Sequence, residues 1–201
     1  QQVDWASAEP GTSSNSEELP NIIIILADDL GWNDISFYGG GLGNGAVQTP
    51  NIDRIAAEGV HFSNGYAGNA TCAPSRAALL TGRYPTRYGF EFTPAPASLM
   101  SLVATFDSHR EQLHPGYFLE ENLSDFPPFE EQGVPTTEIL LPEILASKDY
   151  HSILLGKWHL GESEGYTPND RGFDEFLGFL AGGAMFAEYD DPTMIKSIQE
   201  F

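Results

Sequence analysis

The 201-residue chain contains a single cysteine, so no disulfide can close within it. One thiol leaves the compartment open, since a disulfide framework needs at least a pair. Basic residues are scarce, with 9 Lys+Arg against 29 Asp+Glu and a formal net charge of -20. A surface of that sign repels phosphate backbones and argues against a nucleic-acid partner. It also means that any site for an anion must build its own local positive field, so each basic residue beside a motif is informative. Long apolar runs are missing as well. The longest, "IIIILA" from Ile22 to Ala27, falls far short of the roughly 20 residues that span a bilayer. No basic-then-apolar leader opens the chain, and Gln1 stands first. This pattern predicts either a removed signal peptide or a trimmed start.

What is present is enough for one core. Hydrophobic residues make up 41% and aromatics 12%, within the range of a single folded domain. Gln1–Pro20 is polar and rich in Ser, Glu and Pro, and is expected to be a flexible lead-in. The following "NIIIILADD" is a β-branched run bounded by Asn21 and by Asp28-Asp29. It predicts a strand buried on both faces, as in parallel sheets. A Gly-rich loop leads to "TPNIDRIAAEGV", a helix capped by Thr49 and ended by Gly59. A short strand over 60–67 and a helix over 74–81 follow. Residues 92–134 are Pro-rich and poorly periodic, and are expected to be a variable insertion or loops. "TTEILLPEILASKDY" predicts a helix offset by Pro142, "HSILLGKWHLG" a strand running into a turn, and "YTPNDRGFDEFLGF" an aromatic loop. Alternation of strands and helices predicts an α/β fold with a mostly parallel (mixed) sheet flanked by helices. Ligands in such sheets lie at the carboxyl ends of strands, where Asp28, Asp29, Lys157 and His159 are expected.

Three groups of residues could do chemistry. Cys72 stands just before the proline of a helix start, where free N–H groups and the helix dipole favour an anion, and Arg76 lies one turn further in. A free cysteine is most often a small buried core residue, but the Pro74-Ser75-Arg76 context and the Thr81-Gly82-Arg83 ending set this one apart. Asp28-Asp29 is an adjacent carboxylate pair after a buried run, which is either a solvated loop start or an oxygen-only ligand pair for a hard ion, Ca²⁺ or Mg²⁺. Lys157 and His159 sit two apart, so extended backbone would aim both at one site and Trp158 at the other side. The other histidines, His61, His109, His114 and His151, have no such company. Asn69-Ala70-Thr71 and Asn122-Leu123-Ser124 match the N-glycosylation pattern.

"CAPSRAALLTGR" resembles the signature of the sulfatases. "IIIILADDLGWNDISFYGG", "TPNIDRIAAEGVHFSNGYA", and "GKWHLG" with "NDRGFDEFLGF" resemble further blocks of that family, in the family's order over about residues 21–183 except 92–134. The resemblance implies an alkaline-phosphatase-like α/β core. It implies that a separate modifying enzyme, reading Pro74 and Arg76, oxidises Cys72 to formylglycine. One hydroxyl of the hydrated aldehyde would attack sulfur, and the other would let the carbon expel sulfate. Asp28, Asp29 and the modified Cys72 would hold Ca²⁺, with Mg²⁺ as the alternative. Arg76 would stabilise the hydrate and the charge of the metal site, Lys157 would bind a sulfate oxygen, and His159 would hydrogen-bond the hydrate. The implied substrate is an aryl or carbohydrate sulfate ester. The implied setting is periplasmic or secreted, and lysosomal or extracellular in a eukaryote.

The chain also departs from the family's pattern. Full-length sulfatases add a later Asp with Asn or Gln, a second His and a second Lys. Here no His follows His159, Asn169-Asp170 has the reverse order, and Lys196 is the one later lysine. Residues 21–201 are therefore expected to be the N-terminal portion of a sulfatase catalytic domain, incomplete and inactive by itself. A phosphonate or phosphodiester hydrolase with the same modified cysteine is the alternative activity.

Overall fold

The structure is a computed structural model that describes residues 19–108 and 127–182. Most of the expected lead-in, Asn122-Leu123-Ser124, Lys196, His109 and His114 lie outside the described residues, as does part of the 92–134 stretch. The chain divides into two compact units, Gln1–Gln48 and Thr49–Phe201.

In the first unit the apolar run is not the buried strand that its composition predicts. Residues 21–27 form no ladder, and their side chains are exposed, Ile23 to 84%. A strand exists only by pairing, and the sole sheet among the described residues lies elsewhere. Two single turns of 3-10 helix follow, Trp32–Asp34 and Ser36–Tyr38. Asp34 folds back to accept the Gly31 N–H at 2.8 Å, and Trp32 meets Tyr38 edge to face at 4.7 Å. Both turns lie inside the stretch expected as a Gly-rich loop, which continues beyond them with Gly43 and Asn44 both in the left-handed region.

In the second unit, helix α1 (Pro50–Glu58) begins with proline at its first position, where the missing N–H is no loss. Thr49 does not cap an amide. Its hydroxyl donates instead to the Asp53 carboxylate at 2.7 Å. The strand expected at 60–67 is also absent, and Val60, Phe62 and Tyr66 are exposed. Helix α2 (Cys72–Thr81) turns Ala73 and Ala77, four apart, fully into the core. It ends at Gly82, which takes the left-handed φ of 65°. Where poor periodicity predicted loop, Ala97–Ser108 forms helix α3. Helix α4 (Leu141–Ala146) is shorter than predicted because Pro142 marks its beginning and does not interrupt it.

Strand β1 (Ile153–Lys157) falls where the sequence predicts it. Its partner does not: "EFLGF", expected as loop, is strand β2 (Glu175–Phe179), parallel to β1 with Ile153 opposite Glu175 and Lys157 opposite Phe179. The parallel pair with its helices gives the expected α/β class. Leu154 and Phe176, opposite one another, pack on a core of Ala73, Ala77, Phe90, Val134, Leu140, Trp158, Leu160 and Leu180. The other face leaves Leu155 and Leu177 71% and 75% exposed.

The crossover from β1 to β2 is fastened from inside. Trp158 donates its indole N–H to the carbonyls of Gly161 (3.0 Å) and Tyr166 (2.9 Å) and meets Phe173 edge to face. Arg171, 2% exposed, donates to the carbonyls of Val134 (3.0 Å) and Glu138 (2.7 Å) and to the Glu143 carboxylate (3.2 Å). A buried guanidinium is tolerated because each of its edges meets an acceptor. Val134 in turn donates its N–H to the Leu160 carbonyl at 2.9 Å.

Candidate active site

Cys72 is the first residue of α2, two positions earlier than a helix beginning at Pro74 would place it. The local cause lies just upstream. The Asn69 side-chain oxygen accepts both the N–H and the hydroxyl of Thr71, each at 2.9 Å. This fixes Thr71 in extended backbone as the residue that enters the helix. Pro74 is buried within the first turn, where its lack of an N–H breaks no helical bond. The half-buried thiol therefore sits among the free amides at the positive end of a ten-residue helix.

His159 is the group that meets it. Its Nδ1 lies 3.3 Å from Cys72 Sγ, and the residue is 4% exposed. The alternation expected for Lys157, Trp158 and His159 does not bring this about. The strand ends at Lys157, and His159 has a φ of 67°, in the left-handed region. Main-chain bonds hold this conformation: the Trp158 N–H donates to the Phe179 carbonyl (3.0 Å) and the His159 N–H to the Leu180 carbonyl (2.9 Å). Trp158 and His159 are both buried.

Arg76 lies one turn along α2 from Cys72. Its Nη1 donates to the main-chain carbonyl of Lys157 at 2.8 Å. The guanidinium thus couples the first turn of α2 to the carboxyl end of β1. Lys157 is half-buried at that end. Cys72 thus meets His159, and Arg76 of the same helix meets the main chain of Lys157. Thr93 joins them, with its hydroxyl 3.9 Å from Cys72 Sγ. No motif points to it, because it lies in the stretch whose pattern suggests only loop. Its segment is anchored two residues on, where Ala95 donates its N–H to Gln132 at 2.8 Å.

Asp28 and Asp29 belong to the first unit, and both are exposed. Asp29 has a φ of 57°, a left-handed turn that aspartate tolerates better than most residues. Adjacent solvated carboxylates suit a hard cation in kind. Among the described residues, no group of three or more His, Cys, Asp or Glu side chains is gathered as a metal site. Asp170 is occupied otherwise. It accepts from the Thr167 hydroxyl (2.7 Å) and the Gly165 amide (2.8 Å), and these bonds, the Thr167 one first, hold its carboxyl below the usual range. Glu162, three residues beyond His159, is pushed the other way by burial.

The sulfatase family model matches residues 20–200. The chain belongs to the sulfatase family. It is 39% identical over 179 residues to the human N-acetylgalactosamine-6-sulfatase, covering 89% of this chain and 28% of that protein. To human arylsulfatase A it is 37% identical over 161 residues, 79% of this chain and 25% of that protein. Among solved structures, the crystal structure of Ps i-CgsB superposes with a TM-score of 0.60 at 37% identity, covering 82% of this chain and 29% of that one. This sulfatase chain thus spans less than a third of the length of the relatives it matches. The parallel pair and its helices are accordingly part of the larger α/β core of that family. No helix among the described residues is long and apolar enough to cross a membrane.

Proposed function

We propose that this chain carries part of the active site of a sulfuric ester hydrolase acting on aryl or carbohydrate sulfate esters, with Cys72, converted to formylglycine by a separate modifying enzyme, as the source of the nucleophile. The observation that carries this reading is the 3.3 Å approach of the His159 imidazole to the side chain of Cys72. A family signature becomes a working site only when a proton-handling group stands beside the reacting atom. Relatives named as N-acetylgalactosamine-6-sulfatase and arylsulfatase A support the reaction class. Ps i-CgsB, whose structure is also known in complex with k-i-k-neocarrahexaose, supports a carbohydrate among the substrates.

Each residue has a role in this reading. The α2 N-terminus offers partial positive charge to an anion at Cys72. His159 Nδ1 holds or moves a proton at the atom that replaces Sγ. Lys157 supplies the ammonium for a sulfate oxygen, on a strand end that Arg76 fixes through the Lys157 carbonyl. Asp28 and Asp29 would hold a divalent cation, Ca²⁺ with Mg²⁺ as the alternative, and would provide part of a shell that takes six or more oxygens. When bound, the cation would polarise a sulfuryl oxygen as a Lewis acid. A secreted or periplasmic setting, or a lysosomal one in a eukaryote, completes the reading.

The test is hydrolysis of an aryl sulfate and an aryl phosphate diester, side by side, by the complete hydrolase carrying this chain, co-expressed with a formylglycine-generating enzyme. An aldehyde-reactive probe on the Cys72 peptide reports the modification. Sulfate release that disappears in Cys72→Ala supports the proposal. Faster hydrolysis of the diester would transfer the site to the phosphodiesterase alternative, and an unmodified thiol under these conditions would remove the nucleophile.

A further inference from the structure

We propose that Gly182 is a positioning residue that seats the His159 imidazole against Cys72. The proposal rests on the reading above that His159 works at that side chain. The ring lies between two neighbours. On one edge Nδ1 is 3.3 Å from Cys72 Sγ. On the other edge the ring lies where a side chain on residue 182 would begin. A Cβ built on Gly182 overlaps Nε2, stands 2.5 Å from Cε1 and 3.3 Å from Cδ2.

Space, not backbone conformation, makes glycine necessary here. Gly182 is not among the residues with positive φ, so an L-residue could adopt its backbone. The ring has nowhere to retreat, because His159 is 4% exposed and its main chain is tied to the Leu180 carbonyl at 2.9 Å. One three-residue segment, Leu180 to Gly182, therefore places His159 twice. Leu180 holds its backbone by a hydrogen bond, and Gly182 defines its ring plane by leaving room. A Cβ at 182 would drive the imidazole toward Sγ, which is already in contact, or tilt it out of line. Misplacement by about 1 Å is enough to reduce a rate on the order of 10²-fold.

Gly182→Ala tests this in the complete, modified hydrolase carrying this chain, with His159→Ala and the double variant as partners. Expected for Gly182→Ala is a fall in kcat of about 10²-fold with KM little changed, and displaced His159 imidazole resonances in NMR spectra of the unmodified protein. In the His159→Ala background the same substitution should cost almost nothing, since the ring it displaces is gone. Unchanged resonances, or an equal loss in both backgrounds, would overturn the proposal. If Gly182→Ala does not fold, recovery of folding in the double variant supports the steric seat, and failure of both variants sinks it. The NMR comparison also separates the two claims. A complete wild-type hydrolase carrying this chain that hydrolyses no ester defeats the proposed function, whereas the resonances still decide the role of Gly182.

Discussion

Arg76 and Lys157, 81 positions apart in sequence, are joined by a hydrogen bond from the guanidinium Nη1 to a main-chain carbonyl at 2.8 Å. Because the acceptor is backbone, the contact survives any change of side chain at 157 and depends wholly on residue 76. A hydrogen bond to a charged group contributes about 1.5–3 kcal/mol. Arg76→Met is therefore expected to lower unfolding stability by that order in a urea titration, and to reduce turnover by loosening β1 against α2. Peptide mass analysis must first establish equal conversion of Cys72 in both proteins. A variant as stable as wild type would show that the bond contributes nothing.

The carboxylates of Asp28 and Asp29 set the cation prediction. Calcium affinity depends on the number of charged ligands, so Asp28→Asn and Asp29→Asn should each weaken binding on the order of tenfold or more. Isothermal titration calorimetry with Ca²⁺ reads the loss directly. Unaltered affinity in both variants would take these residues out of the metal's shell.

His151 gives a pH prediction of definite sign. Its Nε2 lies 2.7 Å from Glu175 and its Nδ1 3.5 Å from Asp174, the two carboxylates that face it. The bond to Glu175 chiefly, with the nearby charges, holds its pKa above 6.5. A group whose pKa is raised on folding contributes stability that is fully present below the unfolded value. That contribution is lost as pH rises through the folded value. Thermal midpoints of wild type and His151→Gln should therefore converge above that range and separate below it, wild type being higher. The gap will be small because the pair is exposed. Parallel pH curves for the two proteins would refute the assignment.

Arg171 ties three segments of the second unit together. Its removal leaves the carbonyls of Val134 and Glu138 and the Glu143 carboxylate without their donor. Breaking a buried charge arrangement from one side is destabilising by about 3–5 kcal/mol. Arg171→Met should approach that loss in a denaturant titration, and a change under about 1 kcal/mol would mean that relaxation or water replaces the guanidinium.

Sequence legibility varied with how local each determinant was. Helix α2 is readable because Gly82 marks its end and Pro74 its first turn, though the helix begins two positions earlier at Cys72, and β1 because it is a short apolar run before a turn. Strand β2 is hidden, since Gly178 and Glu175 weaken its pattern and it becomes a strand only by pairing with β1, Gly156 lying opposite Gly178. The converse error is the run Ile22–Leu26, which has every strand propensity but no ladder among the described residues. Helix α3 shows Leu99, Met100, Leu102 and Val103 all exposed, so no amphipathic period announces it. At the site, the motif names Cys72, Arg76, Lys157 and His159. It cannot name Thr93 or Gly182, whose parts depend on juxtaposition in space.

The 158–174 crossover has a consequence for the order in which the molecule assembles. It brings β1 and β2 together across a short sequence separation, whereas α2 must find β1 from 81 positions away. Closing the shorter loop carries the smaller entropic penalty. The parallel pair, with the Trp158 and His159 amides bonded to Phe179 and Leu180, is thus expected to form as an early folding unit onto which the cysteine helix docks. Pulse-labelled hydrogen exchange should find the amides of Trp158 and His159 protected before that of Ser75, which closes the first turn of α2 on Thr71. The reverse order would make the helix the nucleus, and the imidazole the late arrival.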